Sequence, residues 1–509
     1  MWPLAIPAPP PTQEFKAVLI DVARNPHSIR SLEEIVLWCE AGEVPYIVLH
    51  LTDDQNWMLP SHVLPGVDEH NAAGRPAYTR QELIRLQLFA EARNVRIIPE
   101  VDMPGHSALL VRHNPALFKI QGSESHNCVN FAKPEVREVL KRVIGEVADL
   151  FPSAPYIHLG GDEAWYAGAE NDPHFQAAFR ALGPGVRTEH VFADFLGEMA
   201  KAVIAKGRTP LIWEGFGPDP WTKRRLPPET VVIAWEGNYY APQRLLADGY
   251  RVVNAGWDPF YVVNHYPYDL MTLVPLERLV NHNPQSFGLV QRTEGFGAPI
   301  TATGPYFLGT MMCWWEGREW HVRDVLGPRI IAFGRGGLDG LSYEEVVREI
   351  DRVRATLPPR VVPAPPAIAT PRPSLTTGRP IMEVLERDPI YGPQNLTDGI
   401  VREDRYWLSF PTPQIVTVDL GRVQQVGRIN VTATPIGQGT PSYRVLASVD
   451  NDNWQLLIDR TDHKPLPTLE GFDDKIDPVS VRYLRLEVTK NSTHPNFMAR
   501  ICEFSAFAE

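Results

Sequence analysis

Two acidic residues stand side by side, Asp162 and Glu163, at the end of the stretch Tyr156-Ile157-His158-Leu159-Gly160-Gly161-Asp162-Glu163. Adjacent carboxylates suit acid/base chemistry. Like charges held close push their pKa values apart, so that one group stays protonated while the other ionises. A bare Asp-Glu pair is more often a solvated piece of loop. Here the preceding apolar run, Tyr156 to Leu159, reads as a buried strand, and residues just past a strand end are free to point into a cleft. Gly160 and Gly161 permit a tight exit and leave room beside the acids. The same grammar recurs along the chain, an apolar run that stops in a polar or aromatic residue. Arg24, Asp53, His106, Trp213, Trp235 and Trp314 all lie at or just past such stops.

The elements that must position these residues alternate in type. Phe15 to Val22, Tyr46 to Leu51, Val95 to Val101, Tyr156 to Leu159, Pro210 to Trp213, Val231 to Trp235, Arg251 to Ala255 and Phe307 to Cys313 read as buried strands. Helical patterns lie between them. Ser31-x-x-Glu34 and Thr79-x-x-Glu82 read as capping boxes. Leu32, Ile35, Val36 and Cys39 repeat at helical spacing, and Gly42 ends that helix. Glu135 to Leu150 gathers Val136, Val139, Leu140, Val143, Ile144 and Val147 on one face, and Val191 to Lys206 is a further helix. Eight strands alternating with helices predict an α/β fold, a (β/α)8 TIM barrel, whose active site lies at the C-terminal strand ends. An open doubly wound sheet is the alternative, but no Gly-x-Gly-x-x-Gly follows the first strand.

Beyond the barrel the pattern changes. The run 357–373 is rich in proline and reads as a stiff linker. After it, Ile415 to Leu420, Val426 to Ala433, Tyr443 to Val449 and Val481 to Val488 alternate with period two and predict a β-sandwich. The expected division is an extension over 1–14, a catalytic barrel over 15–356, the linker over 357–373 and a sandwich domain over 374–509.

Composition bounds the function. The net charge of −12 argues against nucleic acid and anionic membranes as partners and leaves neutral substrates such as sugars. No run of eighteen apolar residues is present, so no membrane span is expected. Met1 to Pro11 lacks a basic segment followed by an apolar core and does not read as a signal peptide. Cys39, Cys128, Cys313 and Cys502 form no Cys-x-x-Cys pair, and buried free thiols are expected for Cys39 and Cys313.

His158-Leu159-Gly160-Gly161-Asp162-Glu163 resembles the signature of glycoside hydrolase family 20, the β-N-acetylhexosaminidases. Further parts of that family's pattern occur in order: Asp21-x-x-Arg24, His50-Leu51-Thr52-Asp53-Asp54-Gln55, Glu100-x-Asp102-Met103-Pro104-Gly105-His106 and Trp314-x-Glu316. The resemblance covers roughly residues 15–350, without the family's small N-terminal α/β domain. It implies an exo-acting β-N-acetylhexosaminidase that needs no cofactor for catalysis and takes a glycan ending in β-N-acetylhexosamine. It implies Glu163 as general acid, Asp162 and Tyr261 as holders of the substrate acetamido group, and a His106–Asp53 dyad behind Glu163. It also implies Arg24, His158, Trp213, Trp235, Trp314 and Glu316 as substrate contacts. At the Tyr261 stretch the family often has Tyr-Leu-Asp, where this chain has Tyr261-Val262-Val263-Asn264, so Asn264 stands in for an acid that reads outer hydroxyls. Release of a disaccharide, as in a lacto-N-biosidase, and an inactive lectin-like barrel are the competing functions. The family context implies a secreted, periplasmic or cell-surface location, with a cytoplasmic one left open.

Asp398-Gly399, Trp407, Val418-Asp419-Leu420-Gly421, Ser448-Val449-Asp450 and Arg482-Tyr483-Leu484-Arg485-Leu486 resemble a discoidin or coagulation-factor type C domain, a fold shared with family 32 carbohydrate-binding modules. Related modules hold a structural Ca²⁺, and Asp398, Asp404 and Glu503 are the residues this resemblance implies for it.

Overall fold

The computed structural model describes residues 15–72, 75–263, 274–288, 290–291, 295–296, 299–338, 340–359, 374–382, 392–402, 405–409, 413–434, 440–462, 465–491 and 499–508. The expected extension over 1–14, most of the linker, Asn264 and Asp404 lie outside them. The described residues fall into two compact units, 15–263 with 274–359, and 374–508.

The first unit is a closed parallel barrel. Its strands are β1 (Phe15–Asp21), β2 (Tyr46–His50), β3 (Arg96–Glu100), β4 (Tyr156–His158), β5 (Thr209–Trp213), β6 (Val231–Ala234), β7 (Arg251–Asn254) and a closing strand, Phe307–Trp315. Each pairs in parallel with the next, and the closing strand pairs with both β7 and β1. A short strand, Tyr261–Val263, adds onto the C-terminal half of the closing strand, with Tyr261 opposite Cys313. Helices cover the outer faces, so the strands are buried on both sides and read as nearly continuous apolar runs. Phe15, Tyr46 and Tyr156 pack ring to ring at 5.4–5.7 Å and plug the N-terminal end.

Local sequence explains the helices and corrects one expectation. Helix α1 (Ile29–Ala41) is capped by Ser28, whose hydroxyl accepts the Ser31 N–H. Ser31 therefore lies inside the first turn, buried, and the expected box with Glu34 does not form. The cap sits one turn earlier, after a connection of seven residues from the end of β1 at Asp21. Helix α2 (Arg80–Glu91) has the expected reciprocal box: Thr79 accepts the Glu82 N–H at 3.2 Å, and Glu82 accepts the Thr79 N–H at 2.8 Å. All four cysteines are buried thiols. No helix among the described residues is long and apolar enough to cross a membrane.

The second unit is an antiparallel sheet domain. Two 20-residue strands, Gln414–Ala433 and Phe472–Asn491, pair along their length with register shifts between Asp419 and Gln424 and between Val426 and Arg428. Val416 and Val418 before the first shift, and Ile429 and Val431 after the second, belong to one core. The strands bend at these irregularities and close over that core, as bulges allow. The result is the expected sandwich, with two predicted strands, Ile415 to Leu420 and Val426 to Ala433, fused into one continuous strand.

Candidate active site

The register that closes the barrel puts a polar layer at its C-terminal end. Asp21 pairs with His50, His50 with Glu100 and Glu100 with His158 across four neighbouring strands. Glu100 is fully buried and sits at the hub. It takes the Trp213 indole N–H at 2.7 Å and lies 2.9 Å from His50 Nδ1. The other nitrogen of His50 lies 2.9 Å from Asp53 Oδ2. Burial disfavours charge on the His50 imidazole, but Glu100 and Asp53 outweigh it and hold the ring protonated, well above its usual pKa.

Asp53 then joins this buried layer to the cleft. Arg24 Nη2 lies 2.6 Å from Asp53 Oδ2, while Arg24 Nη1 lies 3.1 Å from Asp21 Oδ2. Burial works against charge on Asp53, but Arg24, His106 and His50 outweigh it and keep the carboxylate well below the usual range. Arg24 Nε is 3.9 Å from Glu316 Oε1, and its guanidinium lies 5.4 Å from the Trp315 ring centre. Burial pushes the Glu316 carboxyl up to about 7, against the pull of Arg24.

His106 stands between Asp53 and the acid pair. Its Nδ1 is 3.4 Å from Asp53 Oδ1, and its Nε2 is 3.5 Å from Glu163 Oε2 and 3.8 Å from Asp162 Oδ2. Burial opposes charge on this ring too, and Asp53 and Glu163 outweigh it. Asp162 has one carboxylate oxygen, Oδ1, that is buried without a hydrogen-bond partner. Burial lifts its pKa to about 6, opposed by His106 and reinforced by Glu163. Beneath it Asp102 is buried, accepts the Gly161 N–H at 3.2 Å, and is pushed well above its usual pKa by burial and then by Asp162. Gly160 has φ +68°, and a Cβ there would lie 1.7 Å from an Asp102 oxygen, so glycine is required at that exit. His106, Glu163 and Glu316 are themselves in the left-handed region, with φ of 46°, 41° and 53°.

Aromatic rings complete the cleft. Tyr261 lies nearly parallel to Trp257 at 5.5 Å and to Trp235 at 6.3 Å, and Trp315 lies 6.1 Å from Tyr261 and 5.9 Å from Trp213. Glu214 steadies this wall. Its backbone carbonyl takes the Trp235 indole N–H at 2.7 Å, and its buried carboxylate accepts the N–H groups of Gly237, Tyr239 and Tyr240.

The structure thus gathers Arg24, Asp53, His106, Asp162, Glu163, Trp213, Trp235, Tyr261 and Glu316 around one cleft. Two expected substrate contacts lie elsewhere. Trp314 points out of the barrel, fully buried 5.4 Å from the His27 ring and packed under Gly317. Neighbours on a strand face opposite ways, so the cleft receives Trp315 in its place. His158 is fully buried beneath the cleft. Its Nδ1 lies 3.2 Å from Glu100 Oε1 and 3.0 Å from the Gly160 N, and burial lowers its pKa to about 4, which makes it a neutral part of the floor. Glu100, His50, Asp102 and Trp315 were not expected as site residues. The sequence signal available for the first of them is an acid that ends the apolar strand Arg96–Glu100.

In the second unit Asp398 accepts the Ile400 N–H at 2.8 Å and lies 2.6 Å from Arg405 Nε. Glu503 Oε2 accepts the Gly399 N–H at 3.2 Å, while its Oε1 is buried without a partner. Burial and the neighbouring Asp398 push Glu503 up to about 8.

Residues 383–504 match the model of the F5/8 type C domain. A beta-hexosaminidase of Akkermansia muciniphila is 31% identical over 222 residues, covering 40% of this chain and 45% of that protein. The beta-hexosaminidase subunit beta of Homo sapiens is 22% identical over 350 residues, covering 67% of this chain and 59% of its own. The chain spans roughly half the length of the curated relatives it matches. Among solved structures, a beta-N-acetylhexosaminidase from Bacteroides fragilis superposes with a TM-score of 0.55 at 20% identity, over 67% of this chain and 70% of that one. An exo beta-N-acetylglucosaminidase from Vibrio harveyi gives 0.56 at 20% identity, over 67% and 58%. At that identity they establish the shared fold. Residues 14–334, well over half of the sequence, match the model of the glycosyl hydrolase family 20 catalytic domain, and the chain belongs to that family.

Proposed function

We propose that the protein is an exo-acting β-N-acetylhexosaminidase that removes terminal β-linked N-acetylhexosamine from glycans with retention of configuration, through an oxazolinium ion. One observation carries the reading: a buried Asp162 oxygen without a partner, beside Glu163 and the His106–Asp53 pair. An acceptor left open in a buried place fits a donor that arrives with the substrate. The acetamido N–H is that donor. Asp162 fixes the acetamido group and balances the charge that develops on it, and the Tyr261 hydroxyl orients the acetyl oxygen. Trp213, Trp235 and Trp315 hold the acetyl methyl against the anomeric carbon and keep water out. The acetyl oxygen then attacks C1 as the bond to the leaving oxygen breaks, and Glu163 gives that oxygen its proton. In the second half Glu163 takes a proton from water, which attacks C1 and reopens the ring. Arg24 and Glu316 are placed to read ring hydroxyls, a task suited to the forked donors of arginine. No cofactor takes part.

The test is hydrolysis of a chromogenic β-N-acetylglucosaminide by the purified protein, with the matching β-glucoside as control. Turnover of the first alone supports the reading. Comparable turnover of the glucoside, or a stable sugar ester on Asp162, defeats the substrate-assisted mechanism. Activity confined to a disaccharide glycoside identifies a disaccharide-releasing enzyme, and no activity on any of them a lectin-like barrel.

For the second unit, the proposed role is glycan binding with a structural Ca²⁺. Support for the ion comes from the unpartnered Glu503 oxygen and the adjacent Asp398, two acids forced together by the fold. Calcium takes oxygen ligands of this kind. Arg405, which already lies against Asp398, is the competing cation.

A further inference from the structure

Among the described residues Trp165 is the one tryptophan that stands exposed, with 65% of its surface open to solvent. It lies two residues beyond Glu163. The Asp162 side chain is 13% exposed, the Glu163 side chain 48% and Trp165 65%, with Ala164 between the last two half-buried. The acid-bearing loop therefore climbs out of the barrel, with the acetamido-binding carboxylate deepest and the indole outermost.

The segment that carries the indole is firmly held. Gly105 abuts it so closely that a Cβ there would meet the Asp162 carbonyl at 2.6 Å and the Ala164 backbone at 3.1 Å. Tyr166 turns inward and packs on Phe131 at 5.6 Å and on Phe192 at 6.0 Å. Ser123 donates to the Ala167 carbonyl at 2.6 Å. The backbone is pinned on both sides of Trp165 while its ring stays in water. Leaving a large apolar ring in water forgoes burial energy, and a fixed exposed aromatic is a common binding platform.

We propose that Trp165 is the platform for the leaving-group sugar, stacking a pyranose ring on the reducing side of the scissile bond. This rests on the hexosaminidase reading above, and it adds the subsite and the ligand class. Geometry selects that side. Glu163 must face the oxygen that joins the two sugars. The terminal sugar lies inward of that oxygen with Asp162, and the leaving-group sugar lies outward of it with Trp165.

The experiment compares wild type, Trp165→Ala and Trp165→Phe, as full chains, on two substrates. One is methyl β-N-acetylglucosaminide, which has nothing to stack; the other is the β-1,4-linked disaccharide of N-acetylglucosamine. Aryl glycosides are avoided because their rings could stack on the indole. For Trp165→Ala, kcat/KM on the disaccharide should fall about tenfold, mainly through KM, with the methyl glycoside within about twofold of wild type. Trp165→Phe should recover most of the loss. Equal losses on both substrates, or none on the disaccharide, overturn the subsite. Wild type inactive on both substrates overturns the hexosaminidase reading and the subsite with it.

Discussion

Replacing His106 with asparagine removes one positive charge from between Asp53 and the acid pair, and its effect can be worked from the geometry. In the proposed mechanism Asp162 must be ionised to balance charge on the acetamido group. Burial lifts it to about 6, and His106 pulls the other way. His106 Nε2 and Asp162 Oδ2 are 3.8 Å apart. Unit charges at about that distance interact by roughly 4 kcal/mol at an effective dielectric of about 20. One pKa unit corresponds to ~1.36 kcal/mol, so the ceiling is about three units. Relaxation and water at the open side of the acid pair reduce this to about one to two. The charge sets the sign: loss of a cation that favours ionised Asp162 raises its pKa. The acid limb of kcat/KM should therefore move to higher pH by about one to two units, measured from about pH 4 to 9 on a soluble aryl β-N-acetylglucosaminide with a good leaving group. Asp53→Asn, which removes the counter-charge of His106, should move the limb the same way by less. An acid limb that stays in place or moves to lower pH would refute the assigned coupling.

The other predictions concern residues that differ in where they point and what they leave behind. Glu163→Gln should lose about 10²–10⁴-fold in kcat on alkyl glycosides and far less on activated aryl glycosides, and equal losses on both would count against its role as acid. Trp315→Ala should lower kcat/KM about 100-fold through the acetyl pocket, whereas Trp314→Ala should cost about 3–5 kcal/mol in denaturant unfolding and spare kcat/KM of the folded protein. Arg24→Ala should raise KM and also cost about 3–5 kcal/mol, because Asp21 and Asp53 lose their partner. Arg24→Lys should restore part of that stability but not the KM. With its folded pKa raised to about 8 against an ordinary 4.5, Glu503 without a cation should make the second unit less stable as pH rises between those values. Glu503→Gln should abolish that slope, and a chelator that leaves the melting temperature at pH 8 unchanged would exclude calcium.

Much of the barrel was legible because its strands are buried on both faces and stand out as apolar runs, each ending at a polar or aromatic residue. What failed was parity. Trp314 and Trp315 are adjacent, and only the register with β1 decides which faces inward; in the structure Ile20 pairs with Trp314, leaving Trp315 level with Asp21. A short run carries no such information alone. The Glu100 hub escaped for a related reason. His50, Glu100 and His158 are separated by long stretches of sequence and become neighbours only when three parallel strands align in register. His158 looked like a cleft residue because it adjoins the Gly-Gly exit, yet it is the last residue of its strand and stays in the floor. The Ser28 cap was missed because Ser31-x-x-Glu34 satisfies the same local rule one turn later.

The left-handed backbone at His106, Glu163 and Glu316 has a consequence for how this protein can change under selection. They are three of the six non-glycine residues with positive φ among those described. Glycine would relieve each position, by something on the order of 1 kcal/mol. A library selected for heat resistance alone should therefore drift toward glycine at Glu163, the most exposed of the three, gaining melting temperature while discarding the proposed acid, whereas His106 and Glu316 also carry charge contacts to Asp53 and Arg24 that hold them in place. Selection that demands turnover at every round should keep all three. The same logic gives a way to sort natural variants: a relative with glycine at the position of Glu163 has traded the proposed acid for backbone ease.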